Sequence, residues 1–202
     1  MRLQVDDIAR YLELSDTIDF GHEGITDLSR DIAAYSADKI DYIKNAFEYV
    51  RDNISHSADI NGTAVTCKAS EVLLAKEGVC YAKSHLLAAL LRCNQIPAGF
   101  CYQRITLNDE SASHLILHGL NAVYIESLGK WIRLDARGNK PGVNAQFSLE
   151  HEQLAFPVRP EMGEEDIPII FAKPDENVVL ALTRSKNLDD LWVNLPTATK
   201  PR

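Results

Sequence analysis

The sequence predicts an α+β fold, and two features of its order carry that expectation. Segments with helical periodicity fill the chain up to Asn94, and β-branched or aromatic runs follow from Ala98 to Asp135. The two kinds are segregated rather than alternating, which suits helices packed on one antiparallel sheet and not a βαβ repeat. With 202 residues and 46% hydrophobic content, the chain can bury a sizeable core.

The elements follow in order. Residues 2–13 carry Leu3, Ile8, Tyr11 and Leu12 at mixed, partly helical spacing. Residues 25–34 and 39–50 read as two amphipathic helices. In the second, Ile40, Ile43, Ala46, Phe47 and Val50 recur at three- and four-residue steps, as a core-facing stripe requires. Residues 53–62 are polar and turn-rich, and 70–75 form a short helix running into Glu77-Gly78. A long apolar helix spans 80–94 and is closed by Asn94-Gln95-Ile96-Pro97. Strands are expected at 98–107, 114–126 and 130–135, then a loop at 138–142. Further on come a short helix within 147–156, an edge strand at 167–170, a last helix capped by Asp175 and a frayed end at 196–202. We read one domain over 1–202, with a core at 40–140, an N-terminal helical extension at 1–39 and a C-terminal extension at 141–202.

Net charge of −8 counts against nucleic acid or an anionic membrane as principal partner. No stretch approaches the roughly 20 apolar residues of a membrane span. The start lacks a basic region followed by an apolar one, so a cytoplasmic location is the expectation. Cysteines at 67, 80, 93 and 101 make no compact disulfide framework and no C-x-x-C pair. Cys93 and Cys101 read as small buried hydrophobes. No metal or other cofactor is expected, and the oligomeric state is left open.

Cys80 is the residue with the most chemical content. It stands in Glu77-Gly78-Val79-Cys80-Tyr81-Ala82-Lys83-Ser84-His85, just where the apolar helix begins. Unpaired backbone N–H groups and the helix dipole favour negative charge in a first turn, and thiols there ionise more readily. A nucleophile needs a base. The runs 114–125 and 130–135 flank a polar, Gly-containing connection and predict a hairpin centred at Glu126-Ser127. Such a hairpin puts His118 directly opposite Asp135 on one face of the sheet, so that a carboxylate can hold the imidazole.

This ordered set resembles the transglutaminase-like superfamily, whose core shares the fold of papain-type thiol enzymes. The matching pieces are Gly78-Val79-Cys80 at a helix start, 86–91 followed by Arg92 and Ile96-Pro97-Ala98, then His118 opening a strand, then Gly129-Lys130-Trp131-Ile132-Arg133-Leu134-Asp135. The likeness covers about residues 40–140. It implies Cys80 as nucleophile, His118 as base, Asp135 as the group orienting it, and an oxyanion donor in the His56-Ser57 region. Tyr81 and Arg137 are further candidates for the substrate cleft. Tyr81-Ala82-Lys83-Ser84 after the cysteine and Ala136-Arg137-Gly138 after the aspartate depart from the Arg-Asp and Pro-Thr common among relatives, which leaves substrate choice open. The chain looks like a compact bacterial-type member without an acidic calcium loop.

The implied reaction is acyl transfer from a peptide, protein or small amide through a thioester, with water or an amine as acceptor. Two other classes compete. One is an inactive member serving as a peptide-binding or scaffold module. The other is a zinc hydrolase built on His114 and His118, which is disfavoured because i and i+4 lie about 13 Å apart on a strand.

Overall fold

The computed structural model describes residues 1–106 and 115–201. In chain order its elements are β1 (Arg2–Leu3), a 3-10 turn (Ile8–Leu12), α1 (Glu23–Tyr35), α2 (Lys39–Asn53), β2 (Ser55–His56), α3 (Ala69–Ala75), β3 (Glu77–Gly78), α4 (Cys80–Cys93), β4 (Ala98–Thr106), β5 (Leu115–Ile125), β6 (Lys130–Leu134), β7 (Glu165–Asp166), β8 (Ile169–Ile170), α5 (Glu176–Arg184) and α6 (Leu188–Val193). The α+β expectation holds: the main sheet is antiparallel, in the order β6-β5-β4-β7, and α4 packs on it.

Local chemistry sets the helix starts. The ring Nδ1 of His22 accepts the N–H of Gly24 to open α1, and the Asp38 carboxylate accepts the N–H of Asp41 to open α2. The stripe Ile43, Ala46, Phe47 and Val50 of α2 is buried as its spacing requires. Helix α4 is different, because every residue from Tyr81 to Arg92 is buried. Helices α1, α2 and α3 cover it on one side and β4 and β5 on another, as an all-round apolar helix demands.

Two basic side chains go down with it and are held by carbonyls. Arg92 donates from Nε and Nη2 to Ala98 O, from Nη1 to Glu13 O, and from Nη2 to Ala172 O, which ties the N-terminal segment and the segment after β8 to one side chain. Lys83 donates from Nζ to Ile54 O and, at 3.3 Å, to Arg51 O, closing the C-terminal end of α2.

The approach of α4 to β5 depends on a missing side chain. A Cβ on Gly119 would lie 2.7 Å from Cδ1 of Tyr81 and 3.4 Å from its Cα. The Tyr81 ring cannot yield, since it is buried and its hydroxyl donates to Leu117 O.

The β5–β6 register departs from expectation. Asn121 pairs with Leu134 and Ile125 with Lys130, so Asp135 aligns with Leu120 rather than His118. The cause is the connection: a 3-10 turn at Glu126–Leu128 followed by Gly129 at φ 59° spans four residues and moves the centre by one. The offset between His118 and Asp135 is two residues, and two is the period of a strand, so both side chains stay on the same face.

Other expectations are corrected. No helix forms within 147–156; the Ser148 hydroxyl accepts the N–H groups of Glu150 and His151, a local turn that competes with a helical one, and Gln146 bridges to Gln153. The strand expected at 167–170 does form, at Ile169–Ile170, where β8 pairs in parallel with β1, and Phe171 bridges to Phe100. Asp175 does cap α5 through the N–H of Asn177, but α5 is not the last helix: α6 follows, capped by Asn187. The end is docked rather than frayed, for Pro196 O accepts the N–H of Leu117 at 2.8 Å and Lys200 N donates to Asp175 at 2.9 Å. Positions 107 and 114, the expected ends of two strands, lie outside the described residues.

Burial first, and then the Arg137 charge, pushes the Lys83 ammonium down from 10.5 to about 7. Between those values the unfolded chain holds the proton and the folded chain has lost it, so this group makes stability rise with pH. Urea unfolding of the protein and of Lys83→Met should therefore diverge between pH 7 and 9, with the wild type gaining on the variant by up to about 2 kcal/mol. A parallel course would refute the assignment. By the packing argument, Gly119→Ala should lower the unfolding free energy by about 1–3 kcal/mol in the same assay.

Candidate active site

Cys80 is the first residue of α4, with Val79 as its N-cap in extended conformation. The approach is fixed by a short parallel pairing: Ser55 with Glu77 and His56 with Gly78. Gly78 thus precedes the sulfur as a strand residue. Cys80 is half-buried, while Cys67 and Cys101 are buried and Cys93 is half-buried; all four are free thiols. Burial pushes the Cys67 and Cys101 thiols up, to about 11 and about 12, so neither ionises near neutrality.

His118 projects from β5 toward that sulfur. Its Nε2 lies 2.8 Å from Oδ2 of Asp135, the residue that follows β6, which leaves Nδ1 as the ring nitrogen facing Cys80. Burial opposes a charge on this ring. The Asp135 carboxylate and the hydrogen-bonding Cys80 side chain outweigh it and raise His118 to about 10. Asp135 is 1% exposed and accepts two further bonds at 3.1 Å, from Arg137 N on Oδ1 and from Ala155 N on Oδ2. Burial would raise its carboxyl, but the His118 charge and these three donors hold it below the usual range. Phe156 stands edge-on to the His118 ring with centroids 5.0 Å apart.

Cys80 and His118 open onto a cleft of about 730 Å³. The other sequence candidates fall around it in different ways. His56 lines it; among the described residues its buried Nδ1 has no hydrogen-bond partner, and burial together with Arg137 pushes the ring down to about 3, so it is neutral. Ser57 is buried beside it, its hydroxyl likewise without a partner among the described residues. Tyr81 borders the cleft, but its hydroxyl is committed to Leu117 O. Arg137 lines the cleft, stacks over Phe156 at 5.8 Å and pairs with Asp59. His118 belongs to a strand and is shared between Asp135 and Cys80, whereas His114, the other half of the zinc alternative, lies outside the described residues. His85 is fully buried, with Nδ1 2.8 Å from Cys67 O, and does not reach the cleft.

Several residues at the site were not read from sequence. Ala155 and Phe156 come from a segment expected to be helical, and Trp192 and Leu195 of the C-terminal segment form part of the cleft wall. The only local hint was Phe156-Pro157, since proline is unsuited to a helix interior.

One solved structure agrees with this fold. A protein from Cytophaga hutchinsonii described as a "putative cysteine protease" superposes with a TM-score of 0.54 at 20% identity, covering 66% of this chain and 43% of its own. The match thus spans less than half of that neighbour and speaks to the fold. The periplasmic domain of TgpA from Pseudomonas aeruginosa, solved bound to ethylmercury, gives a TM-score of 0.48 at 15% identity over 66% of this chain and 50% of that one. No curated protein matches the chain. The family model of the transglutaminase-like superfamily matches residues 26–136, more than half of the sequence, and carries Cys80, His118 and Asp135 within it. The chain belongs to the transglutaminase-like superfamily.

Proposed function

We propose that the chain is a cysteine-dependent acyl-transfer enzyme that cleaves amide bonds through a thioester. The observation that carries this reading is the His118 ring held between the Asp135 carboxylate and Cys80 at the first turn of α4. A ring whose hold on its proton is strengthened by the Asp135 carboxylate and by Cys80 is suited to rest as the imidazolium of a thiolate–imidazolium pair.

In the proposed cycle the Cys80 sulfur adds to the amide carbonyl, forming a C–S bond. His118 Nδ1 gives its proton to the departing nitrogen as the C–N bond breaks, leaving a thioester. Water or a primary amine then attacks, His118 takes the proton of that nucleophile, and the thiolate departs. Asp135 fixes the ring through Nε2 and stabilises its charged form in both halves. The Cys80 N–H at the start of α4 is one donor for the oxyanion, and His56, which lines the cleft and whose Nδ1 has no partner among the described residues, is the side chain we assign as the second. Peptides, proteins or small amides are the substrates this chemistry admits.

Two experiments test the reading. Iodoacetamide labelling followed by peptide mapping should find Cys80 alkylated first, at a rate that stays high as pH falls through 7 while glutathione slows. His118→Ala should remove that low-pH reactivity and Asp135→Asn should weaken it. Equal reactivity of all four cysteines, or a Cys80 indistinguishable from glutathione, would favour the scaffold alternative instead. Secondly, turnover of peptide amides should fall at least about 10³-fold in Cys80→Ala or His118→Ala. Repeating the assay with and without added primary amine separates hydrolysis from transfer.

A further inference from the structure

The cleft that holds Cys80 is more cationic than the chain around it. Among the described residues, Arg137, Lys140 and Arg159 line it against one acidic lining residue, Glu164, in a protein of net charge −8. At one lip Glu164 is fully engaged. It accepts from Arg159 Nη2 at 2.7 Å, from Arg159 N at 2.9 Å and from the Thr106 hydroxyl at 2.7 Å, so this pair contributes no net charge.

The other lip is not balanced. Arg137 donates through both Nη1 and Nη2 to the Asp59 carboxylate, and Lys140 donates to Oδ1 of the same group at 2.7 Å. Among the described residues, one carboxylate therefore serves two basic side chains and leaves one positive charge over. Asp59 is not itself among the residues that line the cleft. The Arg137 side chain is 6% exposed and the Lys140 side chain 43%, so the surplus is presented to the cleft by Lys140 with Arg137 fixed behind it. An apolar wall that includes Val143, Phe156 and Trp192 completes the surroundings, which lowers the local dielectric and strengthens any charge pairing there.

We infer that the cleft selects amide substrates carrying a carboxylate near the reacting bond, received by Lys140 and backed by Arg137. The inference rests on Cys80 as the nucleophile and adds the substrate class. An acidic side chain and a free C-terminal carboxylate offer the same chemistry.

The test uses two alkylating agents that differ in charge. The ratio of the Cys80 rates with iodoacetate and iodoacetamide, divided by the same ratio for glutathione, measures the attraction for a carboxylate. In the wild type it should exceed one and fall as salt is raised. The His118 imidazolium contributes to it equally in all variants with that ring intact, so the Lys140 share is read by difference. Lys140→Gln should lower the ratio about three- to tenfold, Lys140→Glu should lower it further, and Asp59→Asn, which removes the shared anion, should raise it. The iodoacetamide rate should stay within about twofold in the Lys140 variants, since that residue touches no reacting atom. Protection of Cys80 by acetylated tripeptides with a free C-terminus, against amidated ones containing glutamate, assigns the source of the carboxylate. Fast reaction with iodoacetamide but a ratio indifferent to Lys140 and Asp59 would overturn the carboxylate preference and leave the nucleophile standing. Slow reaction with both agents would remove the nucleophile itself.

Discussion

A carboxylate withdrawn from water needs donors, and Asp135 collects three from different parts of the chain: the ring of His118 on β5, the N–H of Arg137 just past β6, and the N–H of Ala155 from the long irregular segment. An unpaired buried charge would be prohibitively costly, so these three partners are mutually required. The site follows from that requirement. Asp135 orients the ring, the ring turns Nδ1 toward Cys80, and Ala155 brings Phe156 over the imidazole. Loss of the carboxylate would loosen strand, turn and loop together.

Much of this was legible in the sequence because it depends on short-range rules. Cys80 at a helix start, and His118 and Asp135 facing one side of a hairpin, follow from local sequence signals. The hairpin register was read one turn position off, yet the pairing survived because a two-residue offset preserves the face. The remaining parts depend on tertiary partners. Nothing local in 147–156 distinguishes a helix from a chain whose Ala155 N–H is claimed by a carboxylate twenty residues earlier. Nor does the composition of 196–201 announce that Leu117 will hold its backbone.

The same limit applies to the buried basic side chains. Nothing in the spacing of Lys83 and Arg92 on an apolar helix announces that each satisfies carbonyl groups at the ends of neighbouring elements. Their side chains do for α4 what capping residues do at a helix end, at a distance sequence spacing does not encode. Lys83 lies one turn beyond Cys80 on α4, so the C-terminal end of α2 and the start of the nucleophile helix are held by neighbouring positions.

The sequence contains two tryptophans, and the fold separates their surroundings. Trp131 is packed between the rings of Tyr11 and Tyr124, while Trp192 forms part of the cleft wall. The indole at the cleft is thereby a native optical probe. A molecule seated against Trp192 would perturb that indole, whereas Trp131 is not among the residues that line the cleft.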